Sequence, residues 1–204
     1  MDWFNKNTKA LAALAKELRP EYLHAASDFL NAAAANLAGR SLGIKVIYEL
    51  RGFWEETFMS SFNSRFGNDV KPLDKAGNET LPDSYALRQA SEAKWALAAD
   101  YVLTLAPTMQ ERIESYGVPA KNISLVPNAV DPDEFKPLVR DNALVEKLGL
   151  TKDHLIIGYI ASLSSYEGVD LLIEAVARLK RENPKKKLAL VVVGGGKELP
   201  DRKS

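Results

Sequence analysis

The chain has 204 residues, 46% apolar and 26% charged, the composition of a folded, soluble protein. Lys+Arg and Asp+Glu number 27 each, so no net field recruits nucleic acid or an anionic membrane. Without cysteine there is no disulfide framework, thiolate metal site or cysteine nucleophile, and a reducing, cytoplasmic location is expected. Met1-Asp2-Trp3-Phe4-Asn5-Lys6 lacks the basic start and apolar run of a signal peptide. No apolar stretch approaches the ~20 residues that cross a bilayer, so membrane contact has no support in the sequence.

Leu11, Leu14, Ala15 and Leu18 recur at helical spacing and predict an amphipathic helix over about 7–18, ended near Pro20. Tyr22–Ala26 reads as a short strand, and Ser27 or Asp28 then caps an alanine-rich helix that ends at Gly39 or Gly43. Lys45–Leu50 is a second strand, followed by Arg51-Gly52. Residues 63–82 form a polar segment interrupted by glycine and proline, expected as a surface excursion. A helix over about 84–98 is expected to turn Leu87, Ala90, Ala93, Leu97 and Ala98 to the core. Tyr101–Leu105 is a third strand and Pro107–Tyr116 a short helix. Ile123–Val126 is a fourth strand, expected to be buried and central, and stopped by Pro127, which cannot continue a ladder. Asp131-Pro132 reads as an N-cap and first helical position, with Phe135 as apolar anchor. A helical piece near 142–148 precedes one strand–helix–strand unit: Leu155–Ile160, Val169–Glu182 and Lys187–Val193. Lys185-Lys186-Lys187 falls in its turn. Helices alternating with short strands predict an α/β fold of parallel, doubly wound sheets.

The stretch Val126-Pro127-Asn128-Ala129-Val130-Asp131-Pro132-Asp133-Glu134-Phe135-Lys136-Pro137 closely resembles the Val-Pro-Asn-Gly-Val-Asp-x-x-x-Phe-x-Pro signature of glycosyltransferase family 4. Ordered resemblances continue at His24, 49–52 and 168–172, and the likeness spans about 16–196. Members are GT-B enzymes of two Rossmann-like domains that transfer a sugar from a nucleotide donor with retained configuration. The resemblance implies an internal piece of such an enzyme: 1–137 from the first domain, a linker at 138–154, and 155–204 opening the second. Such a piece is expected to be inactive alone. Ala129 replaces the usual glycine, so its backbone is expected to be less relaxed. The spacing of Glu174 and Glu182 imitates the family's donor glutamates, but both lie within one helix, on different faces.

In open parallel sheets ligands gather at the carboxyl ends of the strands, where His24, Arg51 and 106–108 fall. His24 by itself reads as a packed or surface histidine. The resemblance makes it the catalytic candidate, since members carry a His-x-His type motif there; Ala26 takes the second place. Arg51 is either a clamp for phosphate or carboxylate, or the ion-pair partner of Glu49, Glu55 or Glu56. Thr108 offers a hydroxyl and first-turn amides to an anion, or is a plain cap. With Asn128, which tolerates a turn, Arg51 and Thr108 are the substrate-binding candidates.

The donor phosphates are expected on the loop 161–168, through Ser162, Ser164, Ser165 and Gly168, and on Gly195. Family members place an arginine near Ser162 and a lysine where Glu167 stands; both cations are missing, and a carboxylate repels a diphosphate. Gly194-Gly195-Gly196-Lys197 resembles the family's glycine turn near the nucleotide, and taken alone is a tight turn. It is not a P-loop, because Val191 occupies the first-glycine place, and no Gly-x-Gly-x-x-Gly supports a nicotinamide enzyme. Two functions stand open. One is transfer from a nucleotide-sugar to a carbohydrate or lipid-linked acceptor, with neither cofactor nor metal. The other is a non-catalytic sugar- or partner-binding module on the same scaffold.

Overall fold

A computed structural model describes residues 2–66 and 83–196. They fall into two units, Met1–Val130 and Asp131–Ser204. Of the polar segment 63–82, residues 63–66 end a helix and the remainder lies outside the described residues.

The first unit opens with helix α1 (Asp2–Leu18), longer at its start than apolar spacing predicted. Strand β1 (Tyr22–Ala26) follows, then helix α2 (Phe29–Leu42). The Asp28 side chain accepts from the amides of Leu30 and Asn31, and Gly43 closes the helix at φ +68°. Ala32, Ala35, Ala38 and Gly39 are buried along α2, which lets the helix lie close on the sheet. A methyl at Gly39 would stand 2.7 Å from the Ile44 carbonyl oxygen and from a Val46 methyl. Strand β2 (Lys45–Leu50) leads into helix α3 (Trp54–Phe66). Helical periodicity did not predict α3, because the position it buries near its start is the charged Glu55. Helix α4 (Asp83–Ala98) buries Tyr85, Glu92 and Ala96, while Leu87 and Leu97 are 67% and 54% exposed. Its core face is therefore rotated from the expected one, since Glu92 is bonded inside to the hydroxyl of Tyr48.

Strand β3 (Tyr101–Thr104), helix α5 (Pro107–Ser115) and strand β4 (Ile123–Leu125) complete the unit. The sheet is parallel throughout in the order β1-β2-β3-β4. A sheet that advances one strand at a time through right-handed crossovers sends every connecting helix to the same face. Leu23, Ala25, Val46, Tyr48, Leu50, Val102 and Ile123 accordingly pack against α2, α4 and α5 in one core. The alternate residues point to the other face, where Tyr22, His24 and Tyr101 are exposed. β4 ends the sheet among the described residues instead of lying centrally; with nothing paired beyond it, Ile123 is buried but Leu125 and Val126 are not.

In the second unit, 131–135 form a single turn closed by Phe135 N–H to the Asp131 carbonyl at 2.9 Å. Phe135 is 70% exposed, so the expected anchor is not made. Asp141 caps the short helix α6 (Asn142–Lys147). Strand β5 (Leu155–Ile160), helix α7 (Val169–Glu182) and strand β6 (Leu188–Val193) form a parallel β–α–β unit in a sheet of its own. Among the described residues no helix is long and apolar enough to cross a membrane.

Candidate functional site

Strand alternation assembles the first cluster. His24 pairs with Ile47 and Ala26 with Glu49, so His24 and Glu49 rise from the same face, free of helices among the described residues, near the carboxyl ends of β1 and β2. His24 Nε2 lies 3.1 Å from Glu49 Oε2, and Glu49 Oε1 lies 3.2 Å from Arg51 Nη1. Arg51 Nη2 donates to Asn128 Oδ1 at 2.7 Å. Three of the four expected residues of this unit thus meet in one chain, His24–Glu49–Arg51–Asn128. The fourth, Thr108, sits in the first turn of α5 and hydrogen-bonds to none of them; the cap position is Ala106, without a side-chain bond. Of the partners open for Arg51, Glu49 is the one it takes, while Glu55 and Glu56 go to Arg112. Ala129 has no positive φ, so alanine in place of glycine brings no left-handed strain.

The joining element Glu49 was not foreseen as a site residue. It was legible as one of three ion-pair partners open to Arg51 and as the start of the 49–52 resemblance, while its place beside His24 follows from parity and register. The turn beside it is held from two directions. Ser27 takes a φ of +87°, uncommon for a residue with a side chain. Its N–H donates to the Glu49 carbonyl at 3.0 Å, and its own carbonyl accepts from Trp54 Nε1 at 3.1 Å. A cleft of about 620 Å³ runs along the unpaired edge of β1 between α1 and α2, lined by Leu11, Leu23, His24, Leu30 and Ala34 among others. His24 alone in the chain of four lines it.

Behind the sheet lies a buried polar network. Arg112 stacks 4.0 Å from the Phe53 ring centroid and donates to Glu55 at 2.6 Å and Glu56 at 2.9 Å. Burial pushes the Tyr116 hydroxyl up to about 12. Glu92 is raised to about 7, first by burial and further by the nearby charges of Glu55 and Asp28, with the Tyr48 hydrogen bond opposing. One oxygen each of Glu55 and Glu92 has no hydrogen-bond partner. Among the described residues no group of three or more His, Cys, Asp or Glu side chains could hold a metal ion.

The second cluster is the loop from β5 to α7. Gly168 takes φ +66° and starts α7 without a side-chain cap. The amides of Val169 and Leu171 stand in the first turn, where no helical carbonyl precedes them. Ser164 Oγ is buried and unpartnered, Ser162 is exposed, and Ser165 begins a short 3-10 turn. Glu167 Oε2 accepts from the Tyr159 hydroxyl at 3.3 Å. The Gly195 carbonyl accepts from the Leu163 N–H at 3.0 Å. The glycines pressed against the loop are, however, its neighbours. A Cβ at Gly194 would fall 1.9 Å from the Ala161 oxygen, and one at Gly196 2.1 Å from the Leu163 oxygen. Gly194 and Gly196 thus fix the loop by close packing, while Gly195 has open space at its Cβ position.

Residues 2–134 match the family model described as Glycosyltransferase Family 4. The chain belongs to glycosyltransferase family 4. Residues 141–203 match a second model, Glycosyl transferases group 1. The D-inositol 3-phosphate glycosyltransferase of Stackebrandtia nassauensis is 32% identical over 129 residues, which is 62% of this chain and 28% of that protein. The protein of the same name from Nocardia farcinica is 29% identical over 119 residues, 56% of this chain and 26% of its own length. In fold, this family 4 chain resembles Anabaena HepE, solved with UDP and glucose, at a TM-score of 0.66 and 17% identity, covering 96% of this chain and 45% of that one. It also resembles S. aureus MnaA, solved with UDP, at a TM-score of 0.53 and 17% identity, covering 95% of this chain and 46% of that one. The chain thus spans less than half the length of each of these four proteins.

Proposed function

We propose that this chain supplies acceptor-side and donor-side elements of a glycosyltransferase that moves a sugar from a nucleotide-sugar to a carbohydrate or lipid-linked acceptor, with retention. The reading rests on one observation, the uncapped start of α7 beside the buried, unpartnered Ser164 hydroxyl. Helix amides and a positive dipole end suit a diphosphate, and the hydroxyl adds one more donor. Ser162, Ser164, Ser165, Gly168 and Gly195 are assigned to the donor phosphates. His24 is assigned to the catalytic step and Arg51, Thr108 and Asn128 to the substrate. UDP and UDP-glucose, bound by HepE, are the first donors to test. Transfer needs the leaving diphosphate and the acceptor hydroxyl held together, and this chain carries only part of that apparatus. The isolated chain therefore binds donor weakly and transfers nothing.

Titration of the labelled chain with UDP-glucose, followed by amide NMR, is expected to shift 162–168 and 194–195. A titration that leaves those amides unmoved overturns the donor assignment. The second reading, a non-catalytic binding module, is favoured by Glu167 and Asp170 at the start of α7, where both oppose an anion. Under it sugars move signals around His24 while UDP moves none.

A further inference from the structure

Both oxygens of Glu49 are engaged, one 3.1 Å from His24 Nε2 and the other 3.2 Å from Arg51 Nη1. Arg51 is held in turn by Asn128 at 2.7 Å, so the carboxylate sits between a fixed cation and the imidazole. An ionised carboxylate only accepts hydrogen bonds, and a guanidinium only donates them. A neutral imidazole facing that carboxylate must therefore present N–H at Nε2, which places the lone pair on Nδ1. Nδ1 has no hydrogen-bond partner among the described residues, and the side chain is 47% exposed.

We propose that Glu49 is a positioning residue that holds His24 as the Nε2–H tautomer and leaves Nδ1 as the nitrogen that accepts a hydrogen bond from a hydroxyl of the sugar acceptor. The acceptor half of this statement rests on the transferase reading above; the tautomer half does not. A carboxylate that orients a histidine fixes which nitrogen is basic, and the permanent charge of Arg51 keeps the carboxylate from turning away.

The chain contains two histidines, which makes the tautomer directly readable. His154 Nδ1 accepts from the Thr151 N–H at 3.0 Å, so His154 is an internal reference remote in sequence from position 49. Long-range proton–nitrogen NMR of the nitrogen-labelled chain, in mildly alkaline buffer without sugar, is expected to show His24 with its proton on Nε2. In Glu49→Ala the two ring-nitrogen signals of His24 converge as the tautomers interchange, while those of His154 stay in place. In Glu49→Gln, which keeps the shape, Arg51 draws the amide oxygen and the NH2 group turns to Nε2, so the pattern inverts to Nδ1–H. A wild-type His24 protonated on Nδ1, or variants that both leave its pattern unchanged, overturns the proposal. Because no donor is present, this outcome is separate from that of the UDP-glucose titration.

Discussion

Glu92 is fully buried on the inner face of α4, with a tyrosine hydroxyl on one oxygen and no hydrogen-bond partner on the other among the described residues. Its proton is held up to about 7 against an ordinary value of 4.5. Because the folded chain binds that proton more tightly than the unfolded chain, the linked stability is fully present below about 4.5. It is lost as the pH rises through about 7, a decline of about 3 kcal/mol. Glu92→Gln removes the titration and is expected to flatten the slope, so that its urea midpoint overtakes that of the parent by pH 8. Midpoints that run parallel from pH 5 to 8 would show that Glu92 carries no such linkage. The same residue explains a misread face: the alanines and leucines of α4 advertise a core stripe, and a buried acid overrides them. At the site, His24, Arg51 and Asn128 were legible as strand-end and signature residues. Glu49 was legible only as one of three partners for Arg51, because an acid near a strand end looks solvated until register places it against an imidazole.

At the scale of elements, nearly every strand and helix boundary was readable, since caps, glycines and prolines punctuate this chain clearly. Asp28, Gly43, Asp141 and Gly168 each stand where local chemistry asks for them. There are two exceptions. α3 hides behind Glu55, which is buried against Arg112, and the turn after Asp131 stops short of a helix with Phe135 left exposed. The loop between β5 and α7 depends on the strand tail beside it, where Gly194 admits the Ala161 carbonyl. Gly194→Ala is expected to push 161–163 away from β6 and weaken UDP-glucose binding at least tenfold. Gly195→Ala has open space at its Cβ position and keeps the backbone amide that its assignment to the phosphates uses, so it is expected to weaken binding less than Gly194→Ala does. Calorimetry on the two variants checks the contrast; equal losses would count against the packing argument.

Across the molecule, stability is unevenly placed. The first unit gathers its sheet and helices into one continuous core, whereas the second buries Val145, Leu163, Val169, Val176 and Leu188 around two strands. A two-stranded sheet is marginal without further packing. Amide hydrogen exchange is therefore expected to be faster in β5 and β6 than in β2, which is flanked on both sides. Equal protection in the two sheets would contradict this ordering. The pleat of β1 has one more consequence. Leu23 and Ala25 look inward while His24 looks out, so a slip of β1 by a single residue would drive an imidazole into an alanine-lined interior and expose the leucine. A mispaired chain would be unstable before it could present a misplaced imidazole. Folding thus proofreads the setting of His24 beside Glu49, and the molecules that survive carry both on the open face.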